Sequence, residues 1–154
     1  MKKILFILLI SCSYLFGDPM KVGDELTLIQ YETQKDEKVS LSKETRTLIF
    51  TSEMEASKIA HELFEVSGDE YLNKNSTVFI SDINKMPFLI TKFVALPRMR
   101  KYNYTIHLIK ENGPGNIFPR EKGKLTVINL ENYKIANIQF IGSVDELKMS
   151  IEKK

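Results

Sequence analysis

The stretch Thr47-Leu48-Ile49-Phe50-Thr51-Ser52-Glu53-Met54-Glu55-Ala56-Ser57 decides how this chain is read. Its first five residues form a continuous apolar, β-prone run, the pattern of a strand buried on both faces. Ser52 followed by Glu55 has capping-box spacing, in which the hydroxyl accepts the third amide and the carboxylate reaches back. Ala56, Ile59, Ala60, Leu63 and Phe64 then recur at helical spacing, and Gly68 supplies a stop. A strand running straight into a helix is the first half of a β-α-β unit. Thr77-Val78-Phe79-Ile80-Ser81-Asp82-Ile83 supplies the second strand. Such a unit crosses over right-handedly and pairs its strands in parallel.

Upstream, residues 26–31 and 39–41 read as short strands, with the charged stretch Gln34-Lys35-Asp36-Glu37-Lys38 as a hairpin loop. Downstream, a helix is expected from about Met86 to Ala95, with Pro87 tolerated in its first turn and Pro97 ending it. Phe88, Leu89, Ile90, Phe93 and Val94 cover more than one face, so this helix is expected to be largely buried. Residues 104–110 read as a strand followed by a Glu111-Asn112-Gly113-Pro114-Gly115 turn. Residues 125–130 and 134–141 form a hairpin around Glu131-Asn132. The last helix opens with a second capping box, Ser143 to Glu146, and carries Val144, Leu147 and Ile151 on one face. The order predicts an α/β domain with a mixed central sheet, helices on both faces and an N-terminal β-hairpin.

The 154 residues are 43% hydrophobic and 27% charged, which excludes a disordered tail, a collagen-like repeat or a coiled coil. Lys plus Arg number 22 against 20 acidic residues; without Lys2 and Lys3 the balance is 20 against 20. That neutrality argues against nucleic acid as a partner. Lys2 and Lys3 precede an apolar run from Ile4 to Gly17, the pattern of a secretory signal. Its 14 residues fall short of the roughly 20 that a spanning helix needs. The preferred expectation is export to the periplasm, cleavage near Gly17 and a domain covering residues 18–154. The competing one takes Leu9-Ile10-Ser11-Cys12 as a lipobox, making Cys12 a lipidated, membrane-tethered first residue. An uncleaved anchor is a third option.

Val22-Gly23-Asp24, Leu28, the polar turn before Lys38-Val39-Ser40-Leu41-Ser42, and Leu48-Ile49-Phe50 together resemble the opening of the thioredoxin-like superfamily. The branch holding periplasmic thiol-disulfide oxidoreductases and peroxiredoxins is the nearest in pattern. The closing hairpin and final helix, residues 125–151, match that fold's ending. The resemblance implies a three-layer thioredoxin-like fold. It also implies a Cys-x-x-Cys or a single peroxidatic Cys at the turn between the first central strand and its helix. Here that turn, Thr51 to Ser57, holds no cysteine, and Cys12 is the chain's only one. The thiolate is what attacks a disulfide or a peroxide, and Ser52 or Ser57 is no substitute for it. Thiol redox chemistry is therefore excluded for the mature chain. The family's cis-proline beside the active turn is also missing: Pro97 lies well upstream of the 104–110 strand, and Asn103 is taken to stand in the proline's place.

The degenerate turn Ser52-Glu53-Met54-Glu55 is a candidate ligand site, although two glutamates already complement the helix dipole there and favour a plain helix start. His61 and Glu65, at i and i+4, lack the second histidine of a zinc motif, and with His107 on a strand they define no metal site. Arg98, Arg100 and Lys101, with Lys92 nearby and Tyr102 and Tyr104 following, form the densest positive cluster. They are candidates to dock an acidic partner, a phosphate or an anionic headgroup, or else to compensate a helix C-terminus. No phosphate loop, dinucleotide fingerprint or nucleophile elbow occurs, so no cofactor and no catalytic residue is assigned. The expected role is a binding or scaffolding module of the cell envelope with a protein partner there, and membrane contact only through Cys12. The rivals are a non-thiol enzyme using Glu53, Glu55 and His61, and a docking platform for a cysteine-bearing partner.

Overall fold

The computed structural model describes residues 17–153, so Cys12 and nearly all of the leader lie outside the described residues. In chain order it contains β1 (Tyr31–Thr33), β2 (Lys38–Val39), β3 (Thr47–Thr51), α1 (Met54–Lys74) and β4 (Thr77–Asp82). A composite helix follows, made of α2 (Phe88–Ile90), a π-helical stretch (Thr91–Ala95) and α3 (Leu96–Met99). Then come β5 (His107–Ile109), a 3₁₀ turn (Pro114–Ile117), β6 (Leu125–Glu131), β7 (Lys134–Ile141) and α4 (Val144–Glu152).

All seven strands join one mixed sheet of order β2-β1-β5-β4-β3-β6-β7. β3, β4 and β5 run parallel, with Ile49 opposite Phe79 and Ser81 opposite Leu108. β6 lies antiparallel on the other side of β3, with Val127 opposite Ile49. The steps β3 to β4 and β4 to β5 go in the same direction, so right-handed crossovers put α1 and the composite helix on one face. All five residues of β3 are buried, and their alternation feeds two cores. Ile49 points to the α1–α4 side with Phe64, Val127 and Leu147. Leu48 and Phe50 point to the opposite side with Met20, Leu26 and Phe118. That second face is covered by the 3₁₀ turn and the segment preceding β1. Helical structure thus lies on both faces, but only one turn of it on the second.

Several local expectations change. The segment around residue 26 does not pair with the N-terminal hairpin. Glu25 bridges Lys134 and the Leu26 amide donates to the Tyr133 carbonyl, so this segment borders the closing hairpin. β1 starts only at Tyr31 and pairs with β5, and β2 stops at Val39. The closing turn is Asn132-Tyr133, both at positive φ (50° and 64°), as a two-residue hairpin of right-handed twist demands. The Ser143 box is real. Its hydroxyl accepts from the Glu146 amide at 3.3 Å, while Glu146 accepts from the Gly142 amide rather than from Ser143 itself. Gly68 breaks α1 without ending it, and the helix resumes to Lys74.

The second predicted helix departs furthest. Pro97 does not end it. A proline has no N–H to donate and lies two residues beyond the π-helical stretch, where the ladder is already wider, so the helix continues to Met99. Nor is it largely buried: no residue from 88 to 99 is, and Phe88, Leu89, Ile90, Phe93 and Val94 are exposed. The helix is hydrophobic on more than one face, but among the described residues no second surface covers it.

Gly68 has φ 67° and ψ −174°, a region that only glycine occupies without strain. Gly68→Ala is therefore expected to lower stability by about 1–3 kcal/mol. Gly142→Ala, whose added Cβ meets nothing within 4 Å, should stay within about 0.5 kcal/mol of wild type. Denaturant midpoints with unchanged slopes test the pair; equal midpoints would remove the strain argument.

Candidate functional site

Strand β3 delivers the chain to the turn at Ser52, and the turn is held by three hydrogen bonds. Thr51 Oγ1 accepts from the Glu53 amide at 3.3 Å and donates to the Glu53 carbonyl at 3.1 Å. Glu53 Oε2 accepts from the Gly123 amide at 2.9 Å, tying the turn to the loop that leads into β6. The expected capping box at Ser52 and Glu55 is thus not formed. The N-cap is Glu53, with no side-chain cap bond, because its carboxylate is drawn across to Gly123. Asn103 likewise does not stand beside this turn. The residues next to the turn and ahead of β6 are Gly123 and Lys124, and among the described residues no peptide bond is cis.

Asn103 instead repairs the break in α1. Its side-chain amide donates to the Glu65 carbonyl at 3.0 Å, and its own carbonyl accepts from the Asp69 amide at 3.1 Å. Asp69 in turn accepts from the Thr105 amide and hydroxyl at 2.6 and 2.8 Å. From the other side the buried Gln34 donates to the Tyr104 carbonyl at 2.7 Å and accepts from the Ile106 amide at 2.9 Å. Residues 103–106 are therefore gripped by α1 and by the N-terminal hairpin, which fixes the three aromatic rings behind the turn. His61 lies 4.4 Å from Tyr102, centroid to centroid, and Tyr102 stacks on Tyr104 at 5.2 Å. His61 Nδ1 and the Tyr104 hydroxyl share a 2.7 Å hydrogen bond, and His61 Nε2 is 3.5 Å from Glu65. Burial, reinforced by Tyr102 and Glu65, pushes the Tyr104 phenol well above its ordinary value, so it stays a neutral hydroxyl.

Between α1 and the composite helix opens a cleft of about 280 Å³. Ser52, Glu53 and Met54 form one lip, Ile90, Val94 and Arg98 the other, and Tyr102 lies at the back. The structure thus brings together two groups that were separate in the sequence: the degenerate turn and half of the basic cluster. The other half goes elsewhere. Arg100 Nε donates to the Gln34 carbonyl at 3.0 Å, and its guanidinium pairs with Asp36. A hydrogen bond from Lys110, joined by the charges of Lys110 and Arg100, holds the Asp36 carboxyl below its usual value. Lys101 is exposed and outside the cleft lining, as is Glu55. Glu53, Glu55 and His61 do not converge on one point: Glu53 faces Gly123, and His61 is engaged by Tyr104 and Glu65.

One feature beside the cleft escaped sequence reasoning. Asp82 ends β4 with a side chain only 2% exposed, paired to Arg120 at 2.9 Å. Arg120 also donates to the Gly115 carbonyl at 2.7 Å and lies 5.1 Å over the Phe50 ring. An aspartate at the carboxyl end of a strand was the available signal, but its partner 38 residues away was not. Farther off, His107 Nδ1 and the Tyr31 hydroxyl are buried without a hydrogen-bond partner, their rings 5.7 Å apart edge to face. Among the described residues no three His, Cys, Asp or Glu side chains group as a metal site.

Solved structures share this architecture. The chain superposes on the peroxidoxin BcpB of Mycobacterium tuberculosis with a TM-score of 0.57 and 13% identity, over 86% of this chain and 94% of that one. For a putative thiol:disulfide interchange protein DsbE from Chlorobium tepidum the values are 0.52 and 14%, over 87% and 94%. For a SCO1/SenC family lipoprotein from Bacillus anthracis they are 0.53 and 10%, over 84% and 94%. No protein-family model and no curated protein matches the sequence. At these identities the likeness is one of fold, and the fold is thioredoxin-like.

Two outcomes follow from the site's buried groups. A Cβ at Gly115 would lie 1.9 Å from Asp82 Oδ2, so Gly115→Ala should displace the carboxylate from Arg120 and cost about 2–4 kcal/mol in thermal or denaturant unfolding. Burial lowers the His107 pKa to about 4, with nearby Asp69 pulling weakly the other way. The unfolded chain, at about 6.5, binds the proton first. The histidine's cost is therefore absent above pH 6.5 and grows as pH falls towards 4, up to about 3 kcal/mol. Wild type should lose stability relative to His107→Leu across that window; parallel profiles would show that the ring titrates normally.

Proposed function

We propose that this chain is an exported, thioredoxin-like binding or scaffolding module of the cell envelope. It works without thiol chemistry and takes a protein partner at the cleft between α1 and the composite helix. The observation that carries this reading is the pairing of a cysteine-free turn, Ser52 to Ser57, with an open, largely apolar cleft. An apolar cleft with a few polar groups on its rim is the usual form of a binding site. Arg98, on the rim, offers a guanidinium for a carboxylate of the partner. The leader pattern at residues 1–17 supports export, with Cys12 lipidation as the membrane-tethered variant. A lipoprotein among the fold neighbours is compatible with that location.

The purified protein is expected to show no reduction of insulin disulfides and no consumption of peroxide. Turnover that tracks this chain would overturn the redox-inactive reading. For the cleft, Arg98→Glu and Val94→Asp should each reduce capture of envelope proteins by roughly ten-fold, while far-ultraviolet circular dichroism stays unchanged. Both side chains are exposed enough for the fold to tolerate the change. Identical partners recovered at wild-type yield by both variants would remove the cleft from the proposal.

A further inference from the structure

Residues 83–110 contain six lysines or arginines and not one acidic residue, in a chain that otherwise balances its charges. Arg100 and Lys110 spend their charge on Asp36 and Glu32. Lys85, Lys92, Arg98 and Lys101 are exposed, and none enters an ion pair among the described residues. In sequence they precede, interrupt and follow an apolar ridge on the composite helix. Phe88 is 71% exposed, Leu89 65% and Phe93 67%. The Lys92 ammonium lies 5.6 Å from each phenylalanine centroid, so its stem runs along the ridge and its charge stands at the ridge's edge.

We infer that this helix docks on an anionic bilayer surface, with Phe88, Leu89 and Phe93 in the headgroup–acyl boundary and Lys85, Lys92 and Lys101 on the lipid headgroups. Two aromatic rings and a leucine beside lysines are the composition of an interfacial helix. The ridge side chains stand mostly in solvent; a protein partner would need a groove at once apolar and acid-rimmed, which an anionic interface offers everywhere. Among the described residues no helix is long and apolar enough to cross a membrane, so the contact is one of surface. This contact is separate from the cleft, which is lined by Ile90, Val94 and Arg98 of the same helix. It also differs from tethering through Cys12, because it needs no lipid anchor.

The chain has no tryptophan, so Phe93→Trp in the full chain places a lone indole on the ridge. With vesicles containing phosphatidylglycerol, its emission should shift to the blue and be quenched by brominated acyl chains. With phosphatidylcholine alone, or in high salt, both effects should largely vanish. Adding Lys85→Glu and Lys92→Glu should raise the lipid concentration for half-maximal quenching by at least roughly ten-fold, since each basic residue near an anionic surface contributes about a factor of five. The probe reads this helix alone, whatever else holds the chain to the vesicle. An indole that keeps its solvent emission on anionic vesicles overturns the proposal. So does a blue shift that depends on protein concentration and needs no lipid, which would mean that a second copy covers the ridge.

Discussion

The carboxylate of Asp82, almost fully withdrawn from water, is the constraint on which the functional end of the molecule depends. A buried charge is tolerable only when paired and hydrogen-bonded. Arg120 supplies the charge, and the Asn84 backbone and side-chain amides supply the rest. The same guanidinium caps the Gly115 carbonyl and covers Phe50, which stacks on Phe118 at 4.3 Å. Three chain segments therefore meet at one ion pair: the exit of β4 into the composite helix, the 3₁₀ turn on the opposite face, and the return towards β6. Gly115 is required there because no side chain fits between its backbone and the carboxylate.

The turn after β3 shows how the fold keeps its shape without its usual reagent. In a redox member of this fold the positive end of the helix lowers the pKa of a thiol and holds the thiolate. Here α1 presents the same end, but the anion is built in: Glu55 lies in the first turn and Glu53 is the N-cap. Glu53 also accepts from the Gly123 amide, on the loop that leads into β6. In this chain the same geometry attaches one loop to another. What remains open is the space beside the turn, floored by aromatic rings rather than by a reactive atom.

The fold was legible wherever periodicity and local geometry decide the outcome. The β3 run, the α1 stripe, the Ser143 box and the closing hairpin each follow from residues within a few positions of one another. Ser52 misled because a carboxylate with a distant partner outcompeted the local cap, and no local pattern contains Gly123. Asn103 misled for the same reason: its partners, Glu65 and Asp69, lie more than 30 residues back, across the break at Gly68. The basic cluster read as one feature and proved to be two, because only the folded chain brings Asp36 to Arg100 and leaves Arg98 on the cleft. Gln34, which grips residues 104–106, gave no sign in a stretch that reads as a solvated loop.

The composite helix shows most clearly what hydrophobicity alone leaves undetermined. An apolar surface on all sides states a demand for cover, but it does not say whether the same chain supplies it. Here the helix is fastened at its ends. Asn84 and the bond from the Ile83 amide to the Ile109 carbonyl hold one end; the Tyr102 stack and the Arg100 bonds hold the other. Only Leu96 and Met99, towards its C-terminal end, pack on the core, and each is no more than partly buried. Fastened ends without a packed middle leave space beneath the helix and an apolar ridge above it. The cleft and the ridge therefore share one cause: a helix held by hydrogen bonds and ring stacking at its termini and by the partly buried Leu96 and Met99, where full burial of its other apolar side chains would have closed both.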